Sequence, residues 1–381
     1  MSNLYIDIKL VQSPKLPQGP CGDLVVSDRN STATTIICCD GIGSGIKANI
    51  AANLCASRLS ELLRGGFTLR EAFNAAVKTM NQWRSPEKPF TAFCICRILN
   101  DGTATILSYE FPPAILLASG CASVIPQQIH SQDVCISSES TCIIEPGDAI
   151  LLMSDGITQA GMGGTLIKGW ETEGVVNFAN AQMRKGISPD DIAAMIHGQA
   201  RNLWARAKGD DCTVVAAKCR QGNFVNILTG PPSHPVNDAK IVQEFVNSLG
   251  THIVCGATTA AIVAKYLGKK VAVSQDASLI APPKYSIDGI DLVTEGAVTL
   301  NQVYNVWDEE QENFEEESGV TELWEHLKKA DCVRIIMGCS FNKASDNIAF
   351  KQTGILTRDK IIPLLANKLR SQGKLVLVRY V

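Results

Sequence analysis

Ile37-Cys38-Cys39-Asp40-Gly41-Ile42-Gly43-Ser44-Gly45 runs from an apolar segment into one acid and then three glycines within five residues. The apolar part reads as a strand over Thr34 to Cys39 that leaves its sheet through Asp40. Asp-Gly is a common turn dipeptide, and glycine supplies the positive φ that turns need, so a plain turn is one reading. The other is that an acid at a strand end, followed by backbone with almost no side chains, holds a ligand.

The same grammar recurs along the first half of the chain. Asp23 follows Cys21-Gly22, Asp155-Gly156 follows the apolar run Ala149 to Ser154, and Asp210-Asp211 precedes a strand-like Cys212 to Lys218. Four acidic sites at the mouths of four strands converge if those strands share one end of a sheet. Carboxylate oxygen, with a backbone carbonyl and water, is the donor set of hard divalent cations such as Mg2+ or Mn2+. Glycine after Asp40 lets the Gly41 carbonyl approach such an ion without a side chain in the way. Taken singly, each acid reads as a turn or cap residue; the combination points to a metal.

Around these acids the chain alternates short strands with helices. Asp23 to Ser27, Thr91 to Leu99, Thr103 to Tyr109, Ala114 to Ala118 and Ser140 to Ile144 read as further strands, and Asn100-Asp101-Gly102 is a hairpin signal. Apolar residues at helical spacing predict helices over Ile46 to Arg64, Thr68 to Trp83, Val175 to Arg184 and Asp190 to Ala207. Antiparallel strands with helices segregated around them predict an α+β layered domain over residues 1–220. Beyond Arg220-Gln221-Gly222-Asn223 the pattern changes. Aliphatic runs at Phe224 to Leu228, His252 to Cys255, Val271 to Ser274, Ile290 to Thr294, Val333 to Met337 and Leu375 to Tyr380 alternate with helical segments. Residues 224–381 therefore read as an α/β domain with a mainly parallel sheet.

Composition narrows the function classes. The chain has 381 residues, too many for one core, with 45% hydrophobic and 19% charged residues and a net charge of −3. The basic residues are scattered, so neither a nucleic-acid nor an anionic-membrane surface is expected. No apolar run reaches bilayer length, and the first residues do not form a signal peptide, which predicts a cytoplasmic protein. The 14 cysteines include no Cys-x-x-Cys pair and sit mostly in apolar runs, so they read as small buried hydrophobes. Seven acids in Asp308 to Glu317 read as a solvated face.

The ordered pieces Cys21-Gly22-Asp23, Cys39 to Gly45, Phe90-Thr91-Ala92-Phe93, Gly147 to Ile157 and Asp210 to Val215 resemble the metal-dependent phosphatases of the protein phosphatase 2C superfamily. The branch they resemble is the bacterial one typified by stage II sporulation protein E, over residues of about 20 to 218. The resemblance implies an α-β-β-α sandwich of two antiparallel sheets with two divalent cations, Mn2+ or Mg2+, at one edge. Asp40 would bridge both ions and the Gly41 carbonyl would ligate one. Asp155 and Asp210 would hold the other, Asp23 would orient the attacking water, and Asp211 would support the site. The implied activity is hydrolysis of phosphoserine or phosphothreonine on a regulatory protein, in relatives often a partner-switching regulator. Two departures stand out. Ile42 occupies the position of a general-acid histidine in eukaryotic relatives, and their early phosphate-binding arginine has Arg29 as its nearest candidate here. A catalytically weak phosphatase-like module that binds a partner or ligand is the alternative.

The second domain resembles no family as clearly. Glycine loops follow several of its strands, and Gly256-Ala257-Thr258-Thr259 opens a helix. Helix N-termini at the carboxyl edge of an α/β sheet favour anions, so Gly256, Thr258 and Thr259 are candidates for a small anionic ligand, with Lys343 as an added charge. Ordinary βα turns that need glycine, or a docking domain without a ligand, account for the same residues.

Overall fold

The computed structural model describes residues 4–43, 45–83, 90–132, 135–204, 209–275, 283–310, 318–340 and 354–381. Two compact units divide the chain, Met1–Gln221 and Gly222–Val381.

In the first unit, a six-stranded sheet has the order β2 (Asp23–Arg29), β3 (Ala33–Gly41), β4 (Thr91–Leu99), β5 (Thr103–Tyr109), β9 (Cys135–Ile143), β8 (Gln128–Gln132). A five-stranded sheet has the order β1 (Leu4–Ser13), β11 (Cys212–Gln221), β10 (Ala149–Met153), β6 (Ile115–Ala118), β7 (Cys121–Val124). Every pairing in both sheets is antiparallel.

The alternation of side chains along β3 shows how the layers stack. Ile36 and Cys38 join Ile106, Ile150, Leu152 and Val215 in a core between the sheets. Ile37 and Cys39 point the other way, against Ala52, Cys55 and Leu59 of α1 (Ile46–Arg64) and Phe73 of α2 (Leu69–Trp83). Both faces of β3 are covered, which is why its sequence is continuously apolar rather than alternating. On the far side, Leu151 and Val214 pack against Val175 of α4 (Glu171–Met183) and Ile196 of α5 (Pro189–Trp204). The layering is α-β-β-α, as the resemblance implied. Of the thirteen cysteines described, nine are buried; Cys121 and Cys339 are exposed, against the expectation from their neighbours.

The second unit holds a seven-stranded sheet. Its order is β14 (Ala272–Gln275), β15 (Lys284–Ser286), β16 (Leu292–Thr294), β13 (Thr251–Cys255), β12 (Phe224–Thr229), β17 (Cys332–Met337), β18 (Leu375–Tyr380). The five strands from β16 to β18 are parallel. The sequence reading missed the three-residue β15, which turns the β14 edge antiparallel and makes the sheet mixed. Helices α6 (Asp238–Val246), α7 (Ala257–Leu267), α8 (Ala297–Asn305), α9 (Gly319–Lys329) and α10 (Arg358–Ser371) belong to this unit, with an apolar core on each side of the sheet. No described helix is long and apolar enough to cross a membrane.

Candidate active site

Asp23 opens β2 and Asp40 stands opposite it in β3. Asp155 follows β10 and begins the short α3 (Asp155–Thr158), and Asp210 and Asp211 lead into β11. Each sheet therefore contributes two of the strands that deliver these acids to one edge of the sandwich.

Asp23 is 4% exposed. Its Oδ2 accepts a hydrogen bond from Thr213 Oγ1 at 2.6 Å, and Gln12 Nε2 donates to that same hydroxyl at 2.9 Å, leaving the hydroxyl proton for the carboxylate. Its Oδ1 is buried with no hydrogen-bond partner. Burial pushes the Asp23 carboxyl up to about 7, against the opposing hydrogen bonds from Thr213 and Ser154, with the charges of Asp211 and Asp155 adding to the rise. Asp40 is raised well above the carboxylate range by burial, then by the charges of Asp23 and Asp155, with a hydrogen bond to Asp155 adding to the rise. Burial also raises Asp155, while hydrogen bonds with Asp40, the Gly156 amide and Gln159 Nε2, which donates to Oδ2 at 2.8 Å, pull it back.

Asp210 sits 3.5 Å from Lys15 Nζ. Asp211 is spent on backbone: its Oδ1 accepts from Lys15 N at 2.8 Å and its Oδ2 from Gly22 N at 3.0 Å. That ties the loop before β2 to the start of β11. The glycines have a reason beyond backbone freedom. A Cβ on Gly41 would lie 2.0 Å from the Ala48 carbonyl oxygen in α1, and one on Gly156 would lie 1.9 Å from the Asp211 carbonyl oxygen. These approaches fix α1 and α3 against the acids.

The sequence reading missed Lys15, Thr213, Ser154 and Gln159. Thr213 lay in the quoted Asp210 to Val215 motif, but its hydroxyl meets Asp23 only across 190 residues of chain. Arg29 is a correction. It closes β2 at the end opposite Asp23, about 20 Å away at strand rise. There it donates to Tyr5 Oη and the Ile6 carbonyl, so it has no part in this site.

A cluster of carboxyls that burial and one another's charge all raise, with an unpartnered buried oxygen among them, fits cations that would offset that charge. Among the described residues, no three His, Cys, Asp or Glu side chains already meet as a finished metal cage.

In the second unit, Gly256 caps α7 at φ 115° with no side-chain cap, and Thr258 is exposed beside it. Thr259 is a correction: it is buried, and its Oγ1 accepts from Gly230 N at 2.8 Å, which joins the β12 loop to α7. Lys343 and residues 311–317 of the acidic run lie outside the described residues.

Residues 30–220, just over half of the chain, match the family model for stage II sporulation protein E (SpoIIE). No curated protein sequence matches the chain. Among solved structures, the RsbU and RsbW domains of a Mycobacterium tuberculosis protein are similar at 17% identity, covering 64% of this chain and 69% of that one, with a TM-score of 0.48. The phosphatase domain of SpoIIE from Bacillus subtilis is similar at 16% identity, covering 58% and 95%, with a TM-score of 0.44. The catalytic domain of the serine/threonine phosphatase PstP, solved with two manganese ions, is similar at 16% identity, covering 57% and 99%, with a TM-score of 0.40. On the strength of its 30–220 match, the chain belongs to the stage II sporulation protein E family.

Proposed function

We propose that the first unit is a metal-dependent protein serine/threonine phosphatase acting on a phosphorylated regulatory protein. The observation that carries this reading is the buried, unpartnered Asp23 Oδ1 in direct register with Asp40. Asp40, the Gly41 carbonyl, Asp155 and Asp210 would hold two divalent cations, Mn2+ or Mg2+. Bound there, the ions would supply a hydroxide nucleophile near neutral pH and neutralise the phosphoryl oxygens.

The chain's own residues do the rest. Asp23, buried with one oxygen unpartnered, would take a proton from the attacking water. Gln159 aims the Asp155 carboxylate, Lys15 offsets the Asp210 charge, and Asp211 fixes the loop that carries Asp23. Ile42 has no proton to give, so the leaving alkoxide must take its proton from water or from the carboxyls. Burial drives the Cys39 and Cys212 thiols up, away from the thiolate a nucleophile needs.

The test is hydrolysis of p-nitrophenyl phosphate by the full chain. Chelator should stop it, Mn2+ should restore it, and a thiol alkylator should leave it intact. The alternative, a catalytically weak partner-binding module, is favoured by the lack of a finished metal cage among the described residues; no turnover at any Mn2+ or Mg2+ concentration would select it.

For the second unit the accompanying proposal is regulation, with a small anion at the start of α7 around Gly256 and Thr258. Inorganic phosphate should raise a melting transition of the full chain if that holds.

A further inference from the structure

The inner face of the six-stranded sheet is core where the five-stranded sheet covers it and bare where it does not. Ser108 of β5 pairs with Ser138 of β9, so Ile136, two residues on, lies on the face that Ile106 turns toward the inter-sheet core. Ile129 of β8 is opposite Ser138 and shares that face. Yet Ile129 is 64% and Ile136 54% exposed. They border a groove of about 790 Å3 whose other walls include Phe90, Phe111 and Pro112. At one end the groove is lined by Asp155, Thr158 and Gln159, so it opens directly onto the carboxylate cluster. Ile42, the residue after Asp40-Gly41, lines it as well and is held by its amide bond to the Phe90 carbonyl.

Among the described residues, its lining includes the carboxylates of Glu110 and Asp155 and no lysine, arginine or histidine. The Glu110 carboxylate is anchored, accepting from Ile136 N at 3.0 Å. Walls built from Phe90, Phe111, Pro112, Ile129 and Ile136 suit an apolar chain.

We infer that the groove seats the extended segment next to the phosphorylated residue of the protein substrate, selecting large aliphatic or aromatic side chains. This rests on the phosphatase reading for the position of the phosphate. Continuity with Asp155 identifies the occupant: whatever places a phosphoryl group at the acids lays its neighbouring residues along this wall. Ile129 and Ile136 provide the apolar contact.

Full-length protein with Mn2+ is given two phosphoserine peptides, one flanked by leucine and isoleucine, the other by serine and glycine. p-Nitrophenyl phosphate, too small to reach along the groove, is run beside them. The apolar peptide should have a kcat/KM at least about tenfold higher than the serine/glycine one. In the Ile129→Ser/Ile136→Ser double variant, the ratio of apolar-peptide to p-nitrophenyl phosphate kcat/KM should fall about tenfold. Both side chains are exposed, so the fold should tolerate the change. Binding of each peptide by fluorescence anisotropy judges the groove independently of turnover. Apolar-peptide binding that weakens in the double variant supports it, whatever the phosphatase result. Equal handling of the two peptides, or no change in the variant, overturns it. Loss of p-nitrophenyl phosphate turnover alone overturns the phosphatase reading instead.

Discussion

Asp23, buried, and Asp40, half-buried, face each other across the open end of the β2–β3 hairpin in direct register. Like charges in that position repel, and with burial they raise both carboxyls above the ordinary range. Much of the site's behaviour follows from this arrangement.

Asp40→Asn and Asp155→Asn should each lower Mn2+-dependent hydrolysis of p-nitrophenyl phosphate by at least about 100-fold. The metal-free variants should melt at or above the wild-type temperature, because a repelling acid has been removed. Near-native turnover in either variant would rule out the two-cation site.

Protonation should also appear in the stability of metal-free protein. The folded chain keeps the Asp23 proton up to about 7, whereas the unfolded chain loses it near the ordinary 3.8. Stability from this group is therefore complete below the lower value and is lost as the pH rises through the higher one. Measured in chelator, the melting temperature of wild type minus that of Asp23→Asn should fall across this window. A difference that grows with pH would show that Asp23 is not held protonated.

Thr213→Val keeps the shape of the side chain and removes the 2.6 Å donor to Asp23. With one lowering influence gone, the Asp23 carboxyl rises further, and the limb of the pH–rate profile that reports it should move to higher pH. The cost in stability should be about 1–3 kcal/mol by chemical denaturation, for a buried acceptor left unpaired. An unmoved profile would separate Asp23 from the rate.

Gly41→Ala places a methyl 2.0 Å from the Ala48 carbonyl oxygen, against helix backbone that cannot yield. We expect a loss of about 3 kcal/mol or more, seen as a lower denaturation midpoint or as insoluble protein. Wild-type stability would show that α1 can shift away from β3.

The sequence made the acids legible because each borders an apolar run, and a run buried on both faces, such as Thr34 to Cys39, needs no partner to be recognised. It left β8 hidden, since Gln128 to Gln132 has one large apolar residue, Ile129, and is a strand only because β9 pairs with it. Strand β1 went unread although Leu4, Ile6 and Ile8 recur with a period of two. The supporting contacts were hidden too: Lys15 and Thr213 reach Asp211 and Asp23 through pairings across nearly the whole unit, which no local window contains. Helix packing is a second reason for glycine at position 41, which only the position of Ala48 could reveal.

Strand β11, the last in its unit, lies between β1, the first, and β10. A ribosome making this protein must therefore deliver residue 221 before β1 has any neighbour in its sheet. A nascent chain stopped short of Cys212 lacks an interior strand of one sheet and the Thr213 hydroxyl that steadies Asp23. The acids therefore come together only once the last strand of the unit has been made, and an N-terminal product that ends before it lacks them as a cluster.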